Sequence, residues 1–451
     1  MTDLPDGWAW APLGDLLLRI EAGKSFRCEG RPARPEEWGI IKVSAMTWGK
    51  FQEQENKAVL ADIEIDPANE IKPGDILLSR ANTEAYVGAA VLVGECRPKL
   101  LLSDKSLRLV PSASVDHRWL VFLLSSPDIR EEISRKATGT KDSMRNISQN
   151  SLKEIVVPVP PTVEQHRIVA ALEDHLSLLD GAVDLLANTG DRIHILRRSA
   201  LQELRYQALR DNPEMLPIGH IATTALGKML DSKNNRGKST PYLRNVNVRW
   251  GKVDLSNVDS VPMSEDQRVK FSLQKGDLLV CEGGEPGRCA IWPGHRDDIS
   301  YQKALHRVRP GGKVSSEWLA LMLEESIRNG RASHMFTGTT IKHLPQEKLR
   351  MLAVPVPSRS LQDEIIRKFT ETARDIERFS GMLAALERRF LHMRRSLLTE
   401  AFAGRLVEQD PADEPASVLL ERIQAERTAH GSARRGRRGT SKQAPQEETL
   451  V

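Results

Sequence analysis

The side chains that could do chemistry in this chain are concentrated in a basic segment at residues 227–252. The segment reads GKMLDSKNNRGKSTPYLRNVNVRWGK, and its one acidic residue is Asp231. Such a local excess of Lys, Arg and Asn supplies the donors that phosphate and base contacts need. The formal net charge of the whole chain is only +4, so composition alone does not predict a nucleic-acid-binding protein. A solvated basic surface is the alternative interpretation of this segment.

The motifs of the common catalytic sites are missing from the sequence. The Gly-rich stretch EGGEPGR (282–288) has no Lys-Ser/Thr helix start after it, so it is not a phosphate loop. NPEM (212–215) is not the Asn/Asp-Pro-Pro-aromatic motif of an adenine methyltransferase, and the nuclease-like Glu70-Ile71-Lys72 has no acid at the matching positions of the second copy, which read SLQK. His117 and His175 have no nucleophile or metal partner nearby in sequence. We therefore predict a chain that is not an enzyme.

Cysteine usage and hydropathy predict a reduced, cytoplasmic protein. Cys28, Cys96, Cys281 and Cys289 show no CxxC spacing, so they are interpreted as reduced thiols and no metal site is predicted. The sequence has no run of about 18 apolar residues and no signal peptide at its start, and no membrane association is predicted.

The elements that must position the basic residues occur twice along the chain. Trp48-Gly49-Lys50 recurs as Trp250-Gly251-Lys252, and Gly74-Asp75 recurs as Gly276-Asp277, both 202 residues later. RWLVFLL (118–124) matches EWLALML (317–323), and ATGTKDSMRNIS (137–148) matches FTGTTIKHLP (336–345), both 199 residues later, and VPVP recurs 197 residues later. The order is kept and the offset drifts little, which indicates an internal duplication.

Each copy begins with short apolar runs bounded by Gly, Pro and Asp, which predict strands joined by tight turns. A helix is predicted near 116–136 in the first copy and near 315–331 in the second. Each copy is therefore predicted to be a mixed α/β globule of about 150 residues.

A long helix with a heptad-spaced apolar stripe follows each VPVP. Proline removes a backbone donor, so Val-Pro alternation is a poor central strand and keeps the chain extended before the helix. The first stripe comprises Val169, Leu172, Leu176, Leu179, Val183, Leu186 and Ile193. The second comprises Ile365, Phe369, Ile376, Phe379, Leu383, Leu386, Phe390, Met393 and Leu397. A helix over 164–209 spans roughly 65–70 Å, and neither helix can bury its stripe alone, so we predict that the two pack together antiparallel.

In this order the duplicated motifs resemble the specificity subunits of type I restriction–modification systems over roughly residues 1–405. The residues that carry the resemblance are LPDGWAWAPLGDL (4–16), VPVPPTVEQHRIV (157–169), YLRNVNVRWGKVDLSN (242–257), KGDLLV (275–280), GTTIKHL (338–344) and MRRSLLTEAFAGRL (393–406). The second junction departs from the pattern, because SRSLQ (358–362) replaces the Pro-Pro-x-x-Glu-Gln of the first copy.

The resemblance implies an α+β protein in which two pseudo-symmetric target recognition domains are joined by two long antiparallel coiled-coil helices. Each domain would read one half of a bipartite, asymmetric double-stranded DNA target. The helices would set the gap between the half-sites and dock two methyltransferase subunits, with endonuclease/translocase subunits in the larger complex. The subunit itself would be non-catalytic and hold no cofactor, while S-adenosylmethionine, ATP and Mg²⁺ would belong to the partners.

The resemblance and the repeat together predict five segments along the chain. These are target recognition domain 1 at 1–160, the first conserved spacer helix at 161–212, target recognition domain 2 at 213–358, the second conserved spacer helix at 359–406, and an acidic then Arg-rich, mostly disordered tail at 407–451. A short helix is possible at 416–430.

DNA contact is predicted for polar residues on loops, because bases need donors and acceptors and phosphates need cations or amides. In the first domain these are Lys24, Arg27, Trp48, Lys50, Arg80, Asn82, Thr83, Lys105, Lys141 and Arg145. In the second domain these are Lys228, Lys233, Asn234, Asn235, Arg236, Arg244, Asn247, Arg249, Lys252, Glu282, Arg288, Lys303, Thr339, Lys342 and His343. For each of them the alternative is a solvated surface residue, and for Trp48 and Trp250 packing is favoured over base stacking.

Two other functions compete with DNA reading. One is a coiled-coil scaffold that links two protein-binding modules without DNA recognition, against which the basic segment 227–252 argues. The other is a self-sufficient restriction–methylation enzyme, whose catalytic motifs are missing here.

Overall fold

A computed structural model describes residues 4–47, 49–139, 144–230, 236–339 and 341–439, with side chains to residue 429. Trp48, Lys141, Lys233, Asn234 and Asn235, for which DNA contact is predicted, lie outside the described residues. The chain divides into unit 1 (Met1–Asp184 with Glu387–Val451) and unit 2 (Leu185–Leu386). Both divisions fall within long helices.

Unit 1 contains eleven described strands and three short α-helices. The strands are β1 (Ala9–Pro12), β2 (Leu17–Ala22), β3 (Gly39–Ile41), β4 (Asn56–Ala58), β5 (Ile76–Ser79), β6 (Ala81–Asn82), β7 (Ala90–Leu92), β8 (Leu100–Leu101), β9 (Ser106–Pro111), β10 (Arg145–Asn146) and β11 (Val156–Val159). The helices are α1 (His117–Ser125), α2 (Pro127–Lys136) and α3 (Gln149–Lys153). Pro127 ends the single helix predicted at 116–136 and starts a second one, because proline is tolerated at the first position of a helix but not inside it.

The long helix α4 (Thr162–Leu209, 48 residues) leads from unit 1 into unit 2. The strands of unit 2 are β12 (Glu214–Pro217), β13 (Ala222–Leu226), β14 (Lys238–Leu243), β15 (Val248–Arg249), β16 (Lys252–Val253), β17 (Asp259–Met263), β18 (Leu278–Cys281), β19 (Cys289–Ile291), β20 (Ser300–Tyr301), β21 (Leu305–Pro310) and β22 (Ala353–Val356). Its helices are α5 (Ile218–Ile221), α6 (Glu265–Lys270), α7 (Ser316–Arg328) and α8 (Gln346–Met351). The chain continues with α9 (Arg359–Phe402, 44 residues) and α10 (Ala416–Gly439).

The two units share one topology, which confirms the predicted duplication. The four-stranded antiparallel sheet β2-β9-β5-β7 recurs as β13-β21-β18-β19. The three-stranded sheet β4-β3-β8, with one antiparallel and one parallel pair, recurs as β17-β14-β20. In both units a core helix packs a fully buried tryptophan, Trp119 in α1 and Trp318 in α7. Asp116 and Ser315 cap these helices by accepting hydrogen bonds from their first-turn amides.

The repeated Gly-Asp pairs form tight turns that lead into buried strands, as predicted. The Asp75 carboxylate accepts a hydrogen bond from the backbone amide of Lys72 at 2.9 Å. The Asp277 carboxylate accepts the equivalent bond from the backbone amide of Gln274 at 2.7 Å. The glycine before each Asp has a positive φ, which a side chain would strain. Each Asp also pairs with an arginine of the neighbouring strand, so the turn is held on its sheet.

Each Val-Pro stretch forms one strand of a two-stranded antiparallel sheet. β11 pairs with β1, and β22 pairs with β12, so the first strand of each globule is joined to its last. A two-stranded sheet tolerates proline because the missing amide can face away from the partner. The long helix starts directly after this pair in both copies.

The two long helices pack against each other antiparallel within each unit. In unit 1 the start of α4 meets the end of α9, where Asp180 accepts a hydrogen bond from Arg394 at 2.7 Å. In unit 2 the end of α4 meets the start of α9, where the Arg197 guanidinium lies 5.9 Å from the Phe369 ring centroid. The predicted seam is buried near these ends, as at Leu172 and Ile365.

Farther along the helices the predicted seam is open. Val183 is 40% exposed and Phe379 is 58% exposed, so the heptad pattern overestimates how far the burial of the stripe extends. The reason is that burial near the ends is supplied by the globules as well as by the partner helix: Leu172 and Leu176 belong to the same core cluster as Trp119.

Part of the tail at 407–451 packs onto unit 1, and α10 includes the short helix considered at 416–430. α10 buries Ala416, Leu419 and Ile423 in the core of unit 1. The Trp8 indole donates to the buried Glu164 carboxylate at 3.0 Å, and Gln409 donates to the same carboxylate at 2.8 Å. Composition alone could not show this, because the two contacts join residues that are 156 and 245 positions apart in sequence. Among the helices that the structure describes, none is long and apolar enough to cross a membrane.

Candidate nucleic-acid interface

In unit 1 the fold gathers several predicted DNA-contacting residues around the short pair β6–β10. Arg145 lies opposite Asn82 in this pair. The Lys105 carbonyl accepts a hydrogen bond from the backbone amide of Arg80 at 2.8 Å, so the segment that contains Lys105 also lies beside this strand pair. The Asn82 side chain accepts the amide of exposed Thr83 at 2.8 Å. Residues separated by up to 65 positions in sequence are thus neighbours.

The two arginines of this cluster are partly committed to the fold. Arg145 donates to the carbonyls of Ser134 and Ala137, so it satisfies the carboxyl end of α2. In the part of the chain that the structure describes, the Nε atom of Arg80 is buried and has no hydrogen-bond partner. Both side chains are half-buried, and their roles in DNA contact stay predictions.

The remaining described cations of this set in unit 1 are exposed. Lys24 pairs with Asp66 at 3.6 Å and Arg27 pairs with Asp62 at 3.0 Å, and all four side chains are solvated. Exposed pairs of this kind contribute at most about 1 kcal/mol, so a DNA phosphate could replace the carboxylate. Lys50 is also exposed.

A groove of about 760 Å³ beside this cluster adds residues that the sequence-based prediction missed. Its lining includes Lys42, Lys57 and Lys105, with Asp104 as its one acidic residue, and Cys28 among the remaining members. Lys57 enters the lining because β4 pairs with β3, which places it opposite Ile40. Knowledge of that strand register would have been needed to find it.

In unit 2 the corresponding backbone contacts recur with different side chains. The Leu344 amide donates to the Glu282 carbonyl at 2.7 Å, as the Ile147 amide donates to the Arg80 carbonyl at 3.0 Å. Glu282 therefore occupies the place of Arg80. The two units therefore share one backbone framework and carry side chains of opposite charge at this position: the Glu282 carboxylate accepts hydrogen bonds, whereas the Arg80 guanidinium donates them.

A hairpin beside Glu282 carries the exposed residues Thr339, Lys342 and His343. His343 forms backbone bridges with both Gly283 and Thr337, which hold this hairpin on the 282–288 loop. Lys303 also lies in this region, because its amide donates to the Lys228 carbonyl at 2.8 Å and the next residue accepts the Glu282 amide.

The basic segment of unit 2 splits into solvent-facing and structural side chains. Arg236 is exposed at its start, and Arg249 and Lys252 lie opposite each other in the β15–β16 hairpin, both exposed. Asn247 is buried, and its amide donates to two backbone carbonyls at 3.0 and 2.8 Å. Lys228 is also buried, so these two predicted contacts lie inside the fold.

Two other arginines of this set make internal ion pairs. Arg244 pairs with Asp259 at 2.7 Å. Arg288 pairs with Glu285 at 3.0 Å and donates to the Asn245 carbonyl at 2.9 Å. These bonds shape the loops on which Arg249 and Glu282 lie.

Burial favours the neutral forms of three titratable groups near the interface, Cys28, Cys281 and His306. Burial raises the pKa of the Cys28 thiol, and it raises the pKa of Cys281 to about 11, which disfavours the nucleophilic thiolate. Burial lowers the pKa of His306, whose Nε2 lies 2.8 Å from the Leu344 carbonyl oxygen. Within the described ranges no group of three or more His, Cys, Asp or Glu side chains could hold a metal ion.

Comparison with known proteins finds the same architecture elsewhere. No protein-family model matches the chain. The type I restriction enzyme EcoKI specificity subunit of Escherichia coli (strain K12) is 22% identical over an aligned length of 466 residues, covering 96% of this chain and 98% of that protein. The type I restriction enzyme EcoEI specificity subunit of Escherichia coli is 31% identical over 180 residues, which are 40% of this chain and 30% of that protein.

A solved chain from work on complex assembly and conformational transition of the type I R-M system has the same fold. Its TM-score is 0.66 at 18% sequence identity, and the superposition covers 90% of this chain and all of the other. The mixed α/β units and the paired long helices are therefore a known arrangement.

Proposed function

We propose that this chain is the DNA-reading specificity subunit of a type I restriction–modification complex, in support of which two such subunits align with 96% of the chain at 22% identity. The observation that carries the proposal is the duplicated unit with a different side chain at one framework position, Arg80 in unit 1 and Glu282 in unit 2. Two readers with different surfaces would recognise two different half-sequences, which makes the target bipartite and asymmetric.

Joining two readers explains why the chain needs long helices. A single half-site offers few base contacts, each worth about 1–3 kcal/mol of discrimination. A stiff connection makes engagement of the second half-site intramolecular, so the two discriminations multiply. Helix length would also set the gap between half-sites, because B-DNA repeats every ~34 Å and a changed length rotates one reader around the duplex.

The proposal assigns catalysis to partner subunits. Two methyltransferase subunits, which bind S-adenosylmethionine, would dock on the helices, and endonuclease/translocase subunits would supply ATP- and Mg²⁺-dependent cleavage in the cytoplasm. Support comes from large apolar side chains that α4 and α9 leave in solvent, namely Leu178, Leu185, Ile195, Leu196, Phe379 and Leu391. Exposed apolar residues on a helix surface are typical of a protein interface.

Methylation mapping tests the proposal directly. The chain is expressed together with a candidate adenine methyltransferase subunit, and modified adenines are located across the host genome. We expect one bipartite motif with a fixed gap. Randomly placed methylation, or methylation that does not require this chain, would reject the proposal and favour the protein-binding scaffold.

A second experiment tests the ruler. One helical turn is inserted after Gly190 in α4, and the modified motif is mapped again. We expect a changed gap and unchanged half-sequences, because the readers themselves are untouched. Altered half-sequences would contradict the role of the helix as a spacer.

A further inference from the structure

We propose that Glu324 is a positioning residue that fixes the DNA-reading loops of unit 2 onto the spacer helix α4. The inference rests on the proposed function, since it concerns how one reader is aligned. It starts from a chain of contacts within unit 2 that joins α4 to the 282–288 loop through α7.

The first link joins α7 to the spacer helix. The Glu324 carboxylate is almost fully buried and accepts two hydrogen bonds from Arg197 of α4, at 2.8 Å from Nε and 3.1 Å from Nη2. The bidentate geometry fixes the orientation of both side chains as well as their distance. Breaking a buried pair of this kind leaves an uncompensated charge, so the link is costly to loosen.

The second link passes from Glu324 to the β15–β16 hairpin. Arg328, one turn along α7, donates to the same carboxylate at 2.7 Å. Its guanidinium lies 4.6 Å from the ring centroid of Trp250, which is the tryptophan of the repeated Trp-Gly-Lys motif. A guanidinium held over an indole is attracted by the ring face, so Arg328 ties the hairpin to α7.

The third link reaches the 282–288 loop. The Trp250 indole donates to Glu285 at 2.6 Å, and Arg288 pairs with the other oxygen of Glu285 at 3.0 Å. Arg288 also donates to the Asn245 carbonyl, so the loop, the hairpin and the preceding segment share one network. Arg249, Lys252 and Glu282, for which DNA contact is predicted, lie on these segments.

Backbone packing shows that the loop is seated directly on α7. Gly287 has a φ of +89°, and a Cβ placed there would lie 2.5 Å from Cδ1 of Ile327. Only glycine combines this conformation with such a close approach. The ionic chain therefore runs beside a close van der Waals contact, and α7 acts as a rigid connection between α4 and the reading loops.

Unit 1 has a weaker link at its spacer helix, which provides a matched control. Arg118 of α1 pairs with Glu173 of α4 at 3.2 Å, but the two side chains are 50% and 45% exposed. Exposed pairs are worth little, so Glu173→Gln removes a comparable charge without loosening a reader. Asp298→Asn, which breaks the exposed Arg296–Asp298 pair, is the control within unit 2.

The test measures sequence discrimination in the assembled methyltransferase complex. Methylation rates are compared on the motif found by genome mapping and on duplexes with one substitution in either half-sequence. Because discrimination is a ratio of rates on two DNAs, a lower fraction of folded complex does not change it. We expect Glu324→Gln to weaken discrimination about tenfold in one half-sequence, the equivalent of one base contact, and to leave the other half unchanged.

Two milder variants keep the test valid if Glu324→Gln does not fold. Trp250→Phe retains the ring but loses the indole donor to Glu285, and Arg328→Lys loses the planar cation over the ring. Both are expected to weaken the same half-sequence, whereas Glu173→Gln and Asp298→Asn behave as wild type.

Unchanged discrimination in all the foldable variants, or equal losses in both half-sequences, would overturn the positioning role. A wild-type complex without sequence preference would instead reject the proposed function, and the inference with it.

Discussion

Gln165 donates a hydrogen bond to the carbonyl of Pro160 at 3.2 Å, and Gln362 makes the same bond to Pro357 at 3.0 Å. Both glutamines are fully buried. Each lies in the first turn of a long helix and returns to the end of the Val-Pro strand. The contact therefore fixes the angle at which a globule continues into its helix, and it survives in the second copy although the surrounding SRSLQ departs from the first.

Replacing Gln362 tests this junction. Gln362→Ala leaves the carbonyls of Pro357 and Lys313 without their donor, so we expect the free energy of unfolding to fall by about 1–3 kcal/mol. Chemical denaturation measures the change. Gln202→Ala, at an exposed position of α4, should stay within about 0.5 kcal/mol. Equal stability of the two variants would contradict the structural role of Gln362.

The buried ion pair at the Gly-Asp turn of unit 2 should contribute more to stability than the exposed Arg296–Asp298 pair of the same unit. Asp277 is 1% exposed. Its carboxylate accepts hydrogen bonds from Nε and Nη2 of Arg309, at 2.6 and 2.8 Å, and from the backbone amide of Gln274. We expect Asp277→Asn to lower the free energy of unfolding by about 2–3 kcal/mol, because a charge-assisted bidentate bond is lost. Asp298→Asn breaks a solvated bidentate pair and should cost less than about 1 kcal/mol. Similar costs would show that burial of the turn does not matter.

The Glu164 carboxyl makes stability depend on pH. Burial raises the pKa of Glu164 above the ordinary value of 4.5, although the hydrogen bonds from Gln409 and Trp8 act in the opposite direction and lower it. The folded protein therefore holds the proton more tightly than the unfolded chain does. This group stabilises the fold fully at low pH, and its contribution is lost as the pH rises from 4.5 through the raised folded value.

Glu164→Gln should remove this dependence. We expect the stability of the variant relative to wild type to be more favourable at about pH 7 than at about pH 4, as measured by denaturant unfolding at both values. Glu131→Gln, at an exposed site, should show no such difference. A variant whose relative stability is the same at both pH values would mean that Glu164 titrates normally.

The lysine groove of unit 1 makes a prediction about salt. If Lys57 and Lys105 contact phosphates, each Lys→Ala change should weaken binding of all DNA sequences alike and reduce the slope of log K against log salt by about one. Lys72→Ala, at an exposed site outside the groove lining, is the control. Slopes equal to that of the control would place the DNA elsewhere on unit 1.

The sequence by itself determined the duplication, the two long helices and the Gly-Asp turns. Each depends on local order: a motif spacing, a heptad period or the backbone freedom of glycine before an aspartate. The exit of each globule was also readable, because Val-Pro alternation excludes a helix until Thr162 and Arg359.

Only the tertiary structure decided which polar residues face solvent. Asn247 and Arg288 look like donors for DNA in sequence, yet backbone carbonyls of the same hairpin engage Asn247, and Glu285 and the Asn245 carbonyl engage Arg288. Lys57 joins a basic groove only through the register of β3 with β4, and α10 enters the core of unit 1 although its segment is polar. These outcomes depend on burial, on strand register and on which carbonyls the folded loops bring within reach, and the residue pattern does not encode these.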